Sequence, residues 1–281
     1  MQLTQAGTAP SFVHNQRKIR EGTEDSKLLL EGRENTPHMY RVMLSRAETD
    51  WHAPRHHHNF DQVRYTVSGE FVETKDTVLP VGWVSYIPEG IFYGPQFRAP
   101  NSVIYNCQFG GASGGGNISK RQRDEAFDEL SKNGSFEKGS YTWFDEKGGR
   151  HRRDSFEAIW QQAFGRKIEY PEPRYTGIIT MNPEKFSWMD FEGLPGVSEK
   201  LLGTFTERGT RIGFIRIDTK ASFVAGLHDA PQLMFLTGGA VECCGRHFPL
   251  HSAMSFEAKE GPVKITATEP SELLYVYLPR F

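Results

Sequence analysis

Three consecutive histidines, His56 to His58, have the residue type and the spacing for metal binding. Side chains two positions apart lie on one face of an extended strand, so His56 and His58 are expected to point one way and His57 the other. Gln62 falls on the face of His56 and His58. Two neutral imidazoles and an amide oxygen can hold iron, manganese, nickel, copper or zinc. The spacing therefore predicts a transition-metal site at His56, His58 and Gln62, and the alternative is a solvated or packed histidine-rich turn.

The histidines open a longer pattern, and a second pattern follows it. The first runs H-x-H-x3-Q-x6-G and ends at Gly69. The second begins at Gly82, runs G-x5-P-x-G-x2-Y through Pro88 and ends at Tyr93. Together the two patterns resemble the paired motifs of the cupin superfamily. That resemblance implies an all-β fold, the double-stranded β-helix or jelly roll, with a metal ion inside a small barrel.

In the cupin motifs, two histidines, a glutamate and a final histidine bind the metal. The resemblance places His56 and His58 on the first two ligand positions, Gln62 on that of the glutamate and Tyr93 on that of the last histidine. Gln62 lacks the formal charge of a carboxylate, so it should bind a cation more weakly while still offering an oxygen. Tyr93 can act as a phenolate ligand or as a neutral phenol that donates a hydrogen bond to the substrate. We expect a three-ligand site with Tyr93 as a nearby acid or orienting group.

Every second side chain along the motif strand is expected to face inward with Gln62, and Arg64 is the next of these. Its guanidinium is expected beside the metal, where it would pair with a carboxylate or enolate of the substrate. The alternative role is that of a salt-bridged residue at the barrel mouth. An aromatic lining is also expected, which suggests a bulky or aromatic substrate, although core packing would explain the same rings. These rings are Phe60, Tyr86, Phe92, Tyr93 and Tyr105.

Composition sets limits on partners and location. The chain has 281 residues, 37% of them hydrophobic, which is enough for one large or two small domains. A formal net charge of −2 with scattered basic residues argues against nucleic acid or an anionic membrane as partner. Cys107, Cys243 and Cys244 make no disulfide framework, and no apolar run has the length of a signal-peptide core or membrane span. A cytoplasmic protein with a small-molecule substrate is expected.

The periodicity divides the chain into four segments. Residues 1–36 are polar and are expected to form an N-terminal arm. Alternating apolar residues over 37–115 predict the strands of a first cupin domain, which holds the metal site. Residues 116–170 predict a short helical insertion. Residues 171–281 return to strand periodicity and are expected to form a second cupin domain.

Two helices are expected in the insertion. Ser119 begins the first in a capping box with Gln122, and Gly134 ends it. Asp154 begins the second, which ends at Gly165. The apolar stripe of the second helix is expected to pack on a barrel wall rather than bind a ligand.

A weak internal repeat supports a duplicated domain. His228, Gln232 and Gly239 reproduce the H-x3-Q-x6-G part of the first motif at an offset of 170 residues. The chain is thus predicted to be a bicupin, with two jelly-roll lobes and the insertion between them. Gly226 and Val263 occupy the places of the first histidine and of the tyrosine. The second lobe is therefore expected to be degenerate and metal-free, and to act as a structural element, a lid or the surface of a homodimer.

A competing metal site involves Cys243, Cys244, His247 and His251. Thiols and imidazoles at this spacing can bind zinc, and adjacent cysteines can be redox active. The segment lacks the C-x2-C pair of common zinc sites, and the repeat predicts a turn between strands there. The turn is the favoured interpretation.

These features favour an enzyme that acts on a small organic substrate that is aromatic, enolisable or carboxylated. A metal-dependent oxygenase of the dioxygenase type is the first hypothesis, because three protein ligands leave positions for a chelating substrate and O2. Iron is the preferred metal. The second hypothesis is a non-redox isomerase or lyase, in which the metal is a Lewis acid and Tyr93 moves a proton. The third is a small-molecule binding or storage protein without turnover.

Overall fold

The structure is a computed structural model that describes residues 1–13 and 19–281. Residues 14–18, part of the predicted N-terminal arm, lie outside the described residues. In chain order the elements are β1 (Gln2–Thr4), β2 (Ser11–Val13), β3 (Glu24–Glu31), β4 (Tyr40–Ala47), β5 (Trp51–Ala53), β6 (Asp61–Ser68), β7 (Phe71–Thr74), β8 (Thr77–Leu79), β9 (Val84–Ile87), β10 (Gln96–Arg98), β11 (Val103–Phe109), α1 (Lys120–Leu130), β12 (Gly134–Glu137), β13 (Ser140–Phe144), β14 (Arg150–Asp154), α2 (Ser155–Phe164), β15 (Ile179–Met181), β16 (Met189–Asp190), β17 (Val197–Thr204), β18 (Arg211–Ile217), β19 (Ser222–Ala225), β20 (Gln232–Gly238), β21 (Val241–Cys243), β22 (Arg246–Phe248), β23 (Ala253–Phe256), β24 (Val263–Ala267) and β25 (Ser271–Tyr277).

The chain forms two compact units, each with two main sheets. The first lobe comprises Ser11–Lys27 and Glu31–Thr180, and the second comprises Met1–Pro10, Leu28–Leu30 and Met181–Phe281. In the first lobe a seven-stranded sheet has the order β15-β9-β6-β11-β4-β3-β2, and a four-stranded sheet has the order β5-β10-β7-β8. The second lobe repeats this plan with β1-β23-β20-β25-β18-β17-β16 and β19-β24-β21-β22. The predicted all-β jelly-roll fold with two lobes is confirmed.

The described part of the predicted N-terminal arm contains strands. Strand β1 pairs with β23, and β2 pairs with β3. Leu29 and Leu30 of β3 are buried, so a segment of polar overall composition contains apolar positions that anchor it. The chain passes from the first lobe to the second between Thr180 and Met181. The domain boundaries at residues 36, 115 and 170 stay predictions.

Both predicted helices are present in the insertion. Ser119 and Gln122 form the capping box, each side chain accepting a hydrogen bond from the other's backbone N–H. The first helix ends at Leu130 rather than at Gly134, because the chain turns there and Gly134 begins β12. Gly165 caps α2 in the left-handed conformation, and β12, β13 and β14 add a small sheet. Within the described residues, no helix has the length and apolar character needed to span a membrane.

The glycine that closes the first motif occupies a position that excludes a side chain. Gly69 follows β6 with a φ of 75°, in the left-handed region that favours glycine. A Cβ there would lie 2.8 Å from Ser102 Cα. Gly239, its counterpart in the repeat, has a φ of 73°, and its Cβ would lie 2.3 Å from the carbonyl oxygen of Pro270. Backbone conformation and close approach together explain the glycine that the two motifs share.

We expect Gly69→Ala to destabilise the protein more than two control substitutions. Gly82→Ala would put a Cβ into open space at a φ of 80°, so it should cost only the left-handed strain of about 1–2 kcal/mol. Gly177→Ala meets no atom within 4 Å and needs no left-handed φ, so it should be nearly neutral. Urea titration of the three variants gives the free energies of unfolding. Equal losses for Gly69→Ala and Gly82→Ala would contradict the close-approach argument.

Candidate active site

The first lobe encloses a cavity of about 130 Å³. Its wall comes from side chains of β4, β6 and β11 in one sheet, of β7 and β10 in the other, and from Phe156 and Ile159 of α2. An engineered cavity of about 150 Å³ in another protein holds benzene, so this cavity has room for a small molecule of about the size of one aromatic ring. Helix α2 packs on the barrel, as predicted, and it also completes the wall of a small-molecule cavity.

His56 and His58 lie together in this wall, just before β6. Both are buried, and their ring centroids are 4.9 Å apart. The backbone of His56 exchanges two hydrogen bonds of 3.0 Å with that of Tyr93, which joins the two motifs. His57 points away and is stacked between Phe92 and Tyr170, with ring centroids at 3.9 and 3.6 Å. The alternating directions expected for the three histidines are therefore observed.

The surroundings of the two imidazoles keep them neutral. Burial lowers the pKa of both His56 and His58 well below the usual range. His56 Nδ1 lies 2.6 Å from the carbonyl oxygen of Pro54, so it carries the proton and leaves Nε2 unprotonated. His58 stacks on Phe60 and meets Phe156 edge-on, and its buried Nδ1 has no hydrogen-bond partner among the residues that the structure describes. Neutral imidazoles with an unprotonated nitrogen are the form that binds metals.

Gln62 lies beside the histidines, with its amide fixed by neighbouring donors. Its Oε1 accepts hydrogen bonds from Arg64 Nη2 at 3.1 Å and from Gln108 Nε2 at 3.3 Å. Its Nε2 donates to the hydroxyl of Tyr93 at 2.6 Å. A guanidinium can only donate, so the amide oxygen must face Arg64 and the opposite amide orientation is excluded. The atom predicted to bind the metal therefore already accepts two hydrogen bonds.

Tyr93 lies behind this wall rather than in it. Its ring centroid is 4.5 Å from that of His56, and its hydroxyl accepts from Gln62. Burial raises the pKa of the Tyr93 phenol, which keeps it protonated. In the part of the chain that the structure describes, the hydroxyl proton has no acceptor. The geometry thus favours a neutral phenol with a proton to donate over a phenolate ligand.

Arg64 combines the two roles considered for it. It lines the cavity and is 5% exposed, and its Nη1 lies 3.5 Å from Glu73 Oε1, longer than a good hydrogen bond. Glu73 is fully buried and accepts from the hydroxyl of Ser85 at 2.6 Å. Burial raises the pKa of Glu73, and the nearby guanidinium opposes that rise. The Arg64 charge is only partly compensated, and its Nε and Nη1 donate no hydrogen bond within the described residues.

A divalent transition metal fits the two imidazoles better than it fits the amide. Metal-binding histidines commonly donate the other ring N–H to a backbone carbonyl, as His56 does to Pro54. The 4.9 Å centroid separation suits two rings that bind one ion at about 2.1 Å. Gln62 can join them only by releasing one of its two hydrogen bonds. Among residues 1–13 and 19–281, no three His, Cys, Asp or Glu side chains cluster as metal ligands, so the donor set is neutral.

Residues of β4 and β11 complete the site, and the sequence motifs did not reveal them. Arg41 pairs across strands with Gln108, which pairs in turn with Gln62. Arg41 Nη2 donates to Gln108 Oε1 at 2.7 Å, so one row of hydrogen bonds crosses three strands. Strand alternation could have identified them, because Arg41 and Gln108 alternate with the buried apolar residues Val42 and Cys107.

The expected aromatic lining is mostly wrong. Of the five rings predicted, only Phe60 lines the cavity. Phe92 is 52% exposed and stacks on His57, while Tyr86 donates to Asp61 at 2.8 Å. The inward faces of β6 and β11 instead carry amide and guanidinium groups. The other aromatic rings that line the cavity come from elements outside the motifs, namely Trp51, Phe71 and Phe156.

The second lobe has the same frame around a different interior. Gln232 accepts from the backbone N–H of Gly226 at 2.6 Å, and His228 is half-buried beside Asp229. The position equivalent to Arg64 is Met234, which belongs to a buried apolar cluster with Leu236. Apolar side chains therefore occupy the space where the first lobe has polar ones.

The two adjacent cysteines lie at the predicted turn between strands. Cys244 and Gly245 connect β21 to β22 with φ values of 51° and 70°, the conformation of a two-residue hairpin. Cys243 is buried and Cys244 exposed, with their Sγ atoms 3.9 Å apart. Turn geometry accounts for this segment.

No protein-family model and no curated protein matches the sequence, whereas solved structures match the fold. A candidate dioxygenase from Nostoc punctiforme superposes with a TM-score of 0.65 at 10% identity, over 99% of this chain and 82% of its own. The nickel(II) complex of bacterial pirin YhhW from Escherichia coli gives 0.54 at 11% identity, over 99% of each chain. A variant of the oxalate decarboxylase of Bacillus subtilis gives 0.56 at 10% identity, over 100% of this chain and 78% of its own.

At about 10% identity these likenesses concern the fold. They cover nearly the whole of this chain, and the two-lobed jelly-roll topology agrees with them. The chain therefore has the cupin fold, in two lobes.

Proposed function

We propose that the first lobe is the active site of a metal-dependent cupin enzyme that oxygenates a small organic substrate. The observation that carries the proposal is the convergence of neutral His56 and His58 on a buried cavity, with the tautomer of His56 set by Pro54. Among proteins of similar fold, one is described as a candidate dioxygenase, one as a nickel(II) complex and one as an enzyme with Mn(II) centres. Iron is the metal that we propose, ahead of manganese, nickel, copper or zinc.

The chain's own residues divide the work of such a site. His56 and His58 would hold the ion, with Gln62 as an oxygen donor once it releases a hydrogen bond. Bound there, the metal would supply Lewis acidity and redox chemistry. Arg64 would orient an anionic group of the substrate, and Phe60 and Phe156 would exclude water. Tyr93 would hold the proton that the reaction needs, and Gln62 fixes its hydroxyl.

Two other functions each have an observation in their favour. The hydroxyl of Tyr93 has no hydrogen-bond acceptor among the described residues. This favours a non-redox isomerase or lyase, in which proton transfer is the central step. The hydrogen-bonded oxygen of Gln62 and the neutral donor set favour a binding or storage protein without turnover. Oxygen uptake during turnover would support the oxygenase, and turnover without O2 would contradict it. The cytoplasmic location and a homodimer stay predictions.

Changing His56 and His58 together to Ala should remove bound metal, because the remaining donors are neutral and already hydrogen-bonded. Elemental analysis of protein purified without a histidine tag measures the metal per chain. Cys243→Ser with Cys244→Ser is the control and should leave the metal content unchanged. Metal retained by the double histidine variant would place the site elsewhere and contradict the proposal.

Gln62→Glu should tighten metal binding, because a carboxylate adds Coulomb attraction that an amide lacks. The same change replaces the donor to Tyr93 with an acceptor and adds an anion to the ligand set, so turnover should fall even as metal occupancy rises. Metal titration and initial rates measure the two effects separately. Gln232→Glu makes the equivalent change in the second lobe and should alter neither. Unchanged metal affinity in Gln62→Glu would show that residue 62 does not act on the ion.

Tyr93→Phe keeps the ring and removes only the hydroxyl. A general-acid role predicts a rate lower by about a hundredfold or more with the metal retained. Tyr105→Phe removes another buried hydroxyl outside the cavity wall and serves as control. Loss of metal together with rate would instead make Tyr93 a ligand. An unchanged rate would make it a packing residue.

A further inference from the structure

The first-lobe cavity is rich in positive charge. Its described wall includes five arginines and one glutamate, and three of the arginines, Arg41, Arg64 and Arg98, are at least nine-tenths buried. Glu24 pairs with Arg98 at 2.7 Å, and Glu73 lies 3.5 Å from Arg64. No described carboxylate comes within 4 Å of Arg41.

Arg41 remains a cation despite its burial. Burial lowers its pKa to about 10, and the more distant Glu31 and Asp124 oppose that shift, so it is protonated at neutral pH. Lys120 binds both of those carboxylates, through its backbone N–H to Glu31 and through Nζ to Asp124. Within residues 1–13 and 19–281, the Arg41 guanidinium donates one hydrogen bond, to Gln108, and its Nε has no partner. Burying a cation without a nearby anion is costly, so Arg41, which lines the cavity, is a candidate to bind an anionic ligand.

The second lobe supplies an internal comparison. Its strand register aligns Arg211, Tyr277 and Gln232 in the row that Arg41, Gln108 and Gln62 form in the first lobe. There the arginine is neutralised, because Arg211 Nη2 lies 2.8 Å from both carboxylate oxygens of Glu199.

The next row gives the same contrast. It contains Met43, Asn106 and Arg64 in the first lobe and Gly213, Tyr275 and Met234 in the second. The frame therefore folds with a methionine in the place of Arg64, and the excess charge belongs to the first lobe alone.

From these observations we propose that the substrate of the first lobe is a small carboxylate, no larger than about a benzoate ion, whose charge is received by Arg41 and Arg64. This deepens the proposed function by naming its substrate class, and it rests on the cavity being the active site. The volume of about 130 Å³ sets the upper size. The rows of β4, β11 and β6 hold the two guanidiniums in place through Gln108 and Gln62, so the donors are ordered before the anion arrives.

The test is calorimetric titration of untagged, chelator-treated protein with benzoate and with benzamide, its neutral counterpart of nearly equal size. Benzoate should bind saturably, and benzamide at least about tenfold more weakly, since a hydrogen bond to a charged group is worth roughly 1.5–3 kcal/mol. Acetate should bind and 1-naphthoate should not, because the latter exceeds the cavity. Equal affinity for benzoate and benzamide would overturn the proposal without any variant being made.

Substitution of single arginines tests which guanidiniums bind the carboxylate. Arg41→Met and Arg64→Met, the latter copying the second lobe, should each weaken benzoate binding about tenfold to a hundredfold. Arg46→Met is the matched control, because Arg46 lies on the same strand but is exposed beside Glu48. Thermal melts establish whether each variant is folded. If Arg41→Met does not fold, Arg41→Lys replaces it, because lysine keeps the charge. Equal weakening by Arg46→Met would show a nonspecific charge effect and contradict the proposal.

The same titration separates this inference from the proposed function. Wild-type protein that binds benzoate but takes up no added Fe(II), Mn(II) or Ni(II) would overturn the enzyme proposal alone. Protein that binds one of these metals but distinguishes neither benzoate nor acetate from benzamide would overturn the carboxylate assignment alone.

Discussion

The orientation of one buried amide determines much of the chemistry in the first lobe. Gln62 must present its oxygen to Arg64, because a guanidinium offers only donors, and its nitrogen must then donate to Tyr93. The direction of the hydrogen-bonded row is thereby fixed from Arg41 through Gln108 to the phenol. A glutamate at this position would attract the proton of Tyr93 and the charge of Arg64 together. The amide instead leaves the Tyr93 proton without an acceptor among the described residues and the Arg64 charge only partly compensated.

The same constraint accounts for the neutrality of the candidate metal donors, His56, His58 and Gln62. A carboxylate in the cavity wall would pair with Arg64 or Arg41 and would be lost as a ligand. Glu24, the one carboxylate in the described wall, is paired with Arg98 in this way, whereas Glu73 lies outside the cavity lining and accepts from Ser85. A divalent ion held by His56 and His58 would share the cavity with guanidiniums, and a substrate anion would reduce the repulsion between them.

The sequence predicted the frame of the site better than its contents. Strand alternation, the capping box at Ser119 and the glycine at 69 follow from local physics, and all three are present. The roles of Arg41 and Gln108 depend on which strands are neighbours and in what register, and no short motif encodes that. Phe156 was expected only to pack, yet its contact with His58 arises because the insertion helix lies against the barrel. The predicted aromatic lining failed because inward positions of β6 and β11 carry polar groups.

Comparison of the two lobes separates what the fold requires from what the site requires. Both lobes keep the motif glycine, the inward glutamine and an arginine in the same row, so these features are compatible with a lobe whose interior is apolar. The second lobe neutralises its arginine with Glu199 and replaces Arg64 by Met234, which removes the cost of buried charge. The first lobe retains that cost. Stability alone would select against a buried Arg41 with no described carboxylate partner and against a loosely paired Arg64. Both arginines lie around a cavity that also has two neutral imidazoles in its wall, and the proposed carboxylate ligand would supply the missing negative charge.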